Sequence, residues 1–247
     1  MGELDGRRAV VTGAGQNVGA EIARVLAARG ATVGVNDLFA DRAERVVGEI
    51  RAAGGEAEPV VADVTDLAAV REAFARFGPI DVLVNNAGIP VTGIGMQRFV
   101  DEDPRSWRAF VDLNVYGPLN CTHTALPGML ERGWGRVVTI SSESARVGDK
   151  LIATYAASKG AGPALMRSLA KEVGRAGVTC NSLSLATQHN AAVDEGSEMA
   201  LKQLRAYAVP RLGRAGDVAA AVAWLVGDDA AWVTGQTIPV NGGYATS

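Results

Sequence analysis

Short apolar runs recur along the chain at 8–12, 32–36, 58–62, 82–85, 136–141, 178–183 and 237–240, most of them rich in Val, Ile or Leu with little polar alternation. Residues apolar on both sides suit strands covered on both faces. Between them lie longer stretches in which apolar residues return every three or four positions, at 18–29, 41–53, 67–77, 106–132, 155–176 and 217–226. That period predicts helices with one buried stripe. Strand then helix, repeated, predicts a parallel sheet with helices on both faces, and right-handed crossovers make it doubly wound. No repeat, low-complexity tract or linker interrupts the pattern. The expectation is one domain over residues 1–247, with the irregular stretch 186–210 as a loop covering a pocket.

Composition narrows the classes. The chain has 247 residues, 48% hydrophobic and 21% charged, with a net charge of -3. Such a balance predicts no attraction to nucleic acid or to an anionic membrane surface. No apolar run approaches the roughly 18 residues of a membrane span. The opening Met1-Gly-Glu-Leu-Asp-Gly-Arg-Arg8 runs directly into a strand pattern, so no secretory leader is expected and the protein is read as cytoplasmic. Cys121 and Cys180 are the two cysteines. They make no disulfide framework and read as buried thiols. His123 and His189 lack metal-ligand spacing from either cysteine, so no metal is expected.

Candidate chemistry begins at the first strand-to-helix junction, Thr12-Gly13-Ala14-Gly15-Gln16-Asn17-Val18-Gly19. Glycines let backbone turn tightly and approach a pyrophosphate at a helix N-terminus, although a glycine-rich loop alone is often just a turn. The second strand leads into Asn36-Asp37-Leu38. An acid there accepts hydrogen bonds from ribose hydroxyls and repels a 2′-phosphate; the plain alternative is a loop acid capping the next helix. With no basic residue at Gln16, Asn17 or Leu38, the expected cofactor is NAD(H) rather than NADP(H). The third strand ends Ala62-Asp63-Val64, where Asp63 either meets an adenine amino group or shapes a turn. The fourth ends Asn85-Asn86-Ala87-Gly88-Ile89, where small residues admit a flat ring or make a tight turn.

A second constellation is Ser142 followed by Tyr155-Ala-Ala-Ser-Lys159. Residues i and i+4 share a helix face. A cation one turn from a phenol favours the tyrosinate and lowers its pKa. A strand-end hydroxyl can then polarise a carbonyl that the tyrosine protonates. A Tyr/Lys pair by itself is more often an accident of a solvated helix.

Together these motifs resemble the short-chain dehydrogenase/reductase family over essentially the whole chain. Thr12, Gly13 and Gly19 match its dinucleotide loop, Asn85 to Gly88 its Asn-Asn-Ala-Gly, Asn114 its helix asparagine, and Ser142, Tyr155 and Lys159 its catalytic group. The segment Thr234-Gly-Gln-Thr-Ile-Pro-Val-Asn-Gly-Gly243 resembles its last strand. The resemblance implies a Rossmann-like doubly wound parallel seven-stranded sheet and a homotetramer paired through the tyrosine-bearing helix, where Ala156, Ala157, Gly160, Ala161 and Ala164 permit close contact or face the sheet. It implies Tyr155 as general acid/base and Lys159 as holder of the nicotinamide ribose. Ser142 then orients the substrate oxygen, and Asn114 holds a relay water. Gly13, Gly15, Gln16, Asn17, Val18, Gly19, Asp37, Leu38, Asp63, Val64, Asn86, Ala87 and Gly88 would contact the cofactor.

Three positions depart from the family pattern. Asn17 stands where a motif glycine is usual, and asparagine tolerates left-handed backbone. Pro163 leaves the Lys159 carbonyl without its helix bond and predicts a bend after the catalytic pair. Leu185-Ala186 replaces the usual Pro-Gly, with Asn190 at the place of a carboxamide-binding threonine and Thr187 displaced.

Loops after the fourth to sixth strands predict a mostly apolar pocket including Ile89, Pro90, Ile94, Met96, Ser144, Arg146, Leu151, Ile152 and His189, suited to a hydrophobic or cyclic secondary alcohol or ketone. The leading expectation is an NAD(H)-dependent oxidoreductase interconverting a secondary alcohol and a ketone. Two alternatives remain: an NADPH-dependent 3-oxoacyl-carrier-protein reductase, and a non-catalytic dinucleotide sensor.

Overall fold

The computed structural model describes residues 3–189 and 204–246. Seven parallel strands form one sheet in the order β3-β2-β1-β4-β5-β6-β7. The strands are β1 Arg8–Val11, β2 Thr32–Asp37, β3 Glu56–Val61, β4 Val82–Asn85, β5 Gly135–Ser142, β6 Val178–Leu185 and β7 Thr237–Val240. The helices are α1 Asn17–Ala28, α2 Ala40–Ala52, α3 Leu67–Phe77, α4 Pro104–Val111, α5 Gly117–Arg132, α6 Glu143–Val147, α7 Ala153–Val173 and α8 Ala215–Val226. This is the doubly wound, Rossmann-like sheet expected.

Two apolar layers sandwich the sheet. Ile22 and Leu26 of α1, Val46 and Ile50 of α2, and Val218 and Val222 of α8 pack on one face with Val11, Val33 and Val84. Val70 and Phe74 of α3, Cys121 and Met129 of α5, and Met166 and Val173 of α7 pack on the other with Val10, Leu83 and Val137. Each such side chain, fully buried, contributes about 1.5–3 kcal/mol of transfer free energy. The strand order reverses between β1 and β4, which opens a crevice beyond their carboxyl ends. Both cysteines are free and buried. Burial pushes each thiol up to about 12, so neither is a ready nucleophile.

The expected single helix at 106–132 is two helices joined by a π-helical turn, Asp112–Tyr116. Pro118 has no N–H to give Asn114, and the Gly117 N–H reaches back to the Asp112 carbonyl instead. The periodicity carried through the turn and hid it. Helix α6, five residues long and starting directly after Ser142, was also not anticipated. At Pro163 the helix is continuous from Ala153 to Val173. The Lys159 carbonyl, which Pro163 cannot bond, accepts the Ser141 hydroxyl at 2.9 Å. Of the stretch 186–210, only 186–189 and 204–210 are described, and Asn190 lies outside the described residues. Among the described residues no helix is long and apolar enough to cross a membrane.

Candidate active site

The glycine-rich loop folds as a cradle from which side chains are excluded. Gly13 adopts φ 60°, and a Cβ on Gly19 would lie 2.4 Å from the Gly13 carbonyl oxygen. Asn17 is left-handed at φ 48°, as expected of an asparagine in a glycine's place. Gln16 precedes α1 without a side-chain cap, which leaves first-turn N–H groups for a phosphate. Asn86 ties β4 to this loop, its Nδ2 donating to the carbonyls of Thr12 at 2.9 Å and Gly13 at 3.2 Å. The Thr12 hydroxyl accepts the N–H groups of Asn86 and Ala87.

Asp37 is buried at the end of β2, with each carboxylate oxygen engaged. Oδ2 accepts the Gly15 N–H at 3.0 Å and Oδ1 accepts the Phe39 N–H at 3.1 Å. The acid therefore organises the loop. Leu38 is exposed beside it. Asp63 behaves as a turn residue, accepting the N–H and hydroxyl of Thr65. Val64 is buried against Gly117.

Gly88 gives the crevice its floor. A Cβ there would fall 2.0 Å from Lys159 Nζ and 2.9 Å from Asn114 Oδ1. Lys159 is 7% exposed and donates to the Ile140 carbonyl at 3.0 Å. Burial pushes its pKa down to about 8. Asn114, buried in the π-helical turn, donates from Nδ2 to the Ser158 hydroxyl at 3.0 Å, and Ser158 in turn donates to the Tyr155 carbonyl. Asn114 Oδ1 is buried without a hydrogen-bond partner among the described residues. Tyr155 is half-buried, edge-on to Phe110, with ring centroids 6.2 Å apart.

Burial raises the Tyr155 pKa, and a hydrogen bond with Ser142 offsets part of that rise. The expectation that Lys159 depresses it is corrected. The shared helix face brings the two residues together, but the ammonium is directed to the Ile140 carbonyl of β5.

The expected substrate residues divide. Ser144 is buried and bonded to Ser142. Arg146 does not offer an open cation. It pairs with the buried Glu143 carboxylate at 2.9 Å and donates to the Ala245 carbonyl at 3.1 Å. Leu151 has φ 71° and its carbonyl accepts the Gln97 N–H, while Ile152 precedes α7. Ile89 and Met96 are exposed. The His189 N–H donates to the Gly213 carbonyl at 2.7 Å. A depression of about 300 Å³ lined by Ala186, Tyr207, Val209 and Pro239 adjoins the ends of β6 and β7 and includes none of Asn114, Ser142, Tyr155 or Lys159. Among the described residues no cluster of His, Cys, Asp or Glu could hold a metal ion.

The sequence pattern did not single out Ser141, Glu143, Ser158 or, beside the glycine-rich loop, Arg42 and Arg45. Arg45 Nη2 donates to the Gly15 carbonyl at 2.6 Å. The Arg42 Cβ lies 2.6 Å from where a Gly15 Cβ would stand, and its guanidinium covers the Phe39 ring at 4.4 Å. The signal was present as two basic residues one turn apart at the start of α2, facing the loop.

Comparison with known proteins agrees with this geometry. A sequence family described as Enoyl-(Acyl carrier protein) reductase matches residues 13–245. The 3-oxoacyl-[acyl-carrier-protein] reductase of Staphylococcus aureus is 37% identical over 96% of this chain and 97% of its own. The crystal structure of a 3-oxoacyl-[acyl-carrier protein] reductase from Brucella melitensis superimposes with TM-score 0.94 at 31% identity, over 99% of this chain and 93% of that one. A gluconate 5-dehydrogenase from Burkholderia cenocepacia, solved with NADP and tartrate, superimposes with TM-score 0.91 at 31% identity, covering 98% and 96% of the two chains.

The last relative overturns the expectation of NAD(H) over NADP(H). The expectation rests on the absence of a cation at Gln16, Asn17 and Leu38 and on Asp37 as a barrier to a 2′-phosphate. In the fold, Asp37 is engaged by two backbone N–H groups and the cations arrive from α2. Sheet order, loop, crevice residues and full-length relatives agree: the chain belongs to the short-chain dehydrogenase/reductase family of oxidoreductases.

Proposed function

We propose that this protein is an NADP(H)-dependent reductase of a 3-oxoacyl thioester carried by an acyl carrier protein, giving the 3-hydroxyacyl thioester. The observation that carries the reading is the end-to-end likeness to 3-oxoacyl-carrier-protein reductases in both sequence and shape. A 3-oxoacyl group is a ketone and its product a secondary alcohol, so the broader expectation from sequence is retained in this narrower form. The glycine-rich cradle, Asn86, Ala87, Gly88 and Lys159 would hold the dinucleotide, with Arg42 and Arg45 beside its adenosine end. When bound, the dinucleotide supplies the hydride.

The chain's own residues manage position and proton. Ser142 donates a hydrogen bond to the substrate carbonyl oxygen and Tyr155 delivers the proton to it. Lys159 and Asn114 Oδ1 lie on the inner side of the same crevice, the route by which that proton is replaced. Assembly into a homotetramer belongs to the proposal. Trp232 is 99% exposed and Trp224 is exposed on α8, Ala157 and Ala164 are exposed on α7, and the Gly160 position faces open space.

The test is oxidation of NADPH and NADH with three ketones: acetoacetyl-coenzyme A, a 7-oxo bile acid and 5-oxogluconate. The thioester with NADPH should turn over fastest. Faster turnover of the steroid or the sugar acid would overturn the substrate assignment.

A further inference from the structure

Ser144 stands directly behind Ser142. Its N–H reaches Ser142 Oγ at 3.2 Å and its hydroxyl donates to the same atom at 2.8 Å. A serine hydroxyl has two lone pairs and one proton. Both lone pairs of Ser142 Oγ are thus filled from the protein side, and only its proton is left for the crevice. Ser144 is 3% exposed and cannot turn to water. The short helix α6 is also pinned. Glu143, 1% exposed, pairs with Arg146 at 2.9 Å, and Arg146 holds the Ala245 carbonyl.

From this arrangement we infer that Ser144 is a positioning residue that forces Ser142 to act as a hydrogen-bond donor, toward the Tyr155 oxygen in the free protein and toward the carbonyl oxygen once substrate is bound. A Ser142 free to accept would instead take the phenol's proton into a hydrogen bond. That bond would favour the neutral phenol and leave the carbonyl oxygen with one donor fewer. Burial and the Ser142 hydrogen bond are what displace the Tyr155 titration, with no charged neighbour contributing, so the direction of that one bond is readable in the phenol. The inference rests on the reading of Ser142 and Tyr155 as the reacting pair.

The experiment uses the full chain and two readouts. The first is ultraviolet titration of phenolate, with Tyr155 assigned by subtracting the Tyr155→Phe protein; it needs no substrate. The second is NADPH-dependent reduction of acetoacetyl-coenzyme A. Ser144→Ala should move the Tyr155 titration to higher pH and lower kcat roughly fivefold to tenfold, the loss of about one hydrogen bond, with KM unchanged. Ser144→Thr, which keeps the hydroxyl, should restore both. The same comparison between Ser144→Thr and its hydroxyl-free isostere Ser144→Val decides the matter if the alanine protein folds poorly. A Tyr155 titration and kcat unmoved in both hydroxyl-free variants would overturn the role of Ser144. Full activity of Ser142→Ala or Tyr155→Phe would instead overturn the underlying site, so the two failures are told apart.

Discussion

The Ser141 hydroxyl donates to the main-chain carbonyl of Lys159 at 2.9 Å, replacing the helix bond that Pro163 cannot make. Proline inside a helix removes a donor and frees the carbonyl four residues back. Here that carbonyl belongs to the lysine of the site, and Ser141 precedes Ser142 on β5. A strand hydroxyl therefore clamps the helix to the sheet between the two site residues.

Ser141→Ala should destabilise the protein by about 1–3 kcal/mol, because a buried carbonyl is left unsatisfied. In a Pro163→Ala background residue 163 again has an N–H for that carbonyl, so the same Ser141→Ala change should cost less. Urea unfolding of the four proteins forms a double-mutant cycle. Equal costs in both backgrounds would show that the hydroxyl does not substitute for the helix bond.

That clamp also marks how far the sequence could be read. Elements with an uninterrupted period, such as β4 and α3, were legible with their ends. Asn114, Ser142, Tyr155 and Lys159 were legible because their types and order are distinctive. What stayed hidden depends on where a side chain turns in three dimensions. Lys159 shares a face with Tyr155, yet its ammonium bonds Ile140 on β5. Asp37 sits where a ribose acceptor belongs, yet its oxygens are taken by Gly15 and Phe39. The pattern over 106–132 reads as one helix, and only the fold shows the π turn that places Asn114 inside.

Gly88→Ala tests the crevice floor without replacing a reactive group. The new methyl would stand 2.0 Å from Lys159 Nζ. The ammonium ends a flexible chain and can swing aside, so the fold should survive with little change in thermal midpoint. A displacement on the order of 1 Å of a positioned group costs roughly 100-fold in rate. NADPH-dependent reduction of acetoacetyl-coenzyme A should fall by about that factor. Unchanged turnover would mean that the position of Lys159 is immaterial.

Lys159 should make the cofactor-free fold less stable than it need be. Burial holds its folded pKa at about 8, against about 10.4 for an exposed lysine. Between those values the unfolded chain binds the extra proton, so stability rises with pH across that window and the full cost is present below it. Lys159→Met should therefore be more stable than the parent at pH 7 by at most about 3 kcal/mol. The difference should shrink as pH rises from 8 toward 10.5 and vanish above it, while activity is lost throughout. Urea melts of both proteins at pH 7 and pH 9.5 check this, and a difference that does not narrow with pH would refute it.

Arg42 should distinguish a 2′-phosphate from a hydroxyl. Its guanidinium forms no ion pair among the described residues and lies over Phe39, next to the Asp37–Gly15 contact. Arg45, its neighbour one turn on, is already committed to Glu49 and to the Gly15 carbonyl. A charge-assisted hydrogen bond contributes about 1.5–3 kcal/mol, or roughly 10- to 100-fold in affinity. Calorimetric titration of the full chain with 2′,5′-ADP and with 5′-ADP isolates that contact from any turnover. Arg42→Ala should weaken 2′,5′-ADP by such a factor, leave 5′-ADP within about twofold, and flatten the salt dependence of the first ligand alone. Equal weakening of both ligands would assign Arg42 to the shape of the loop rather than to the phosphate.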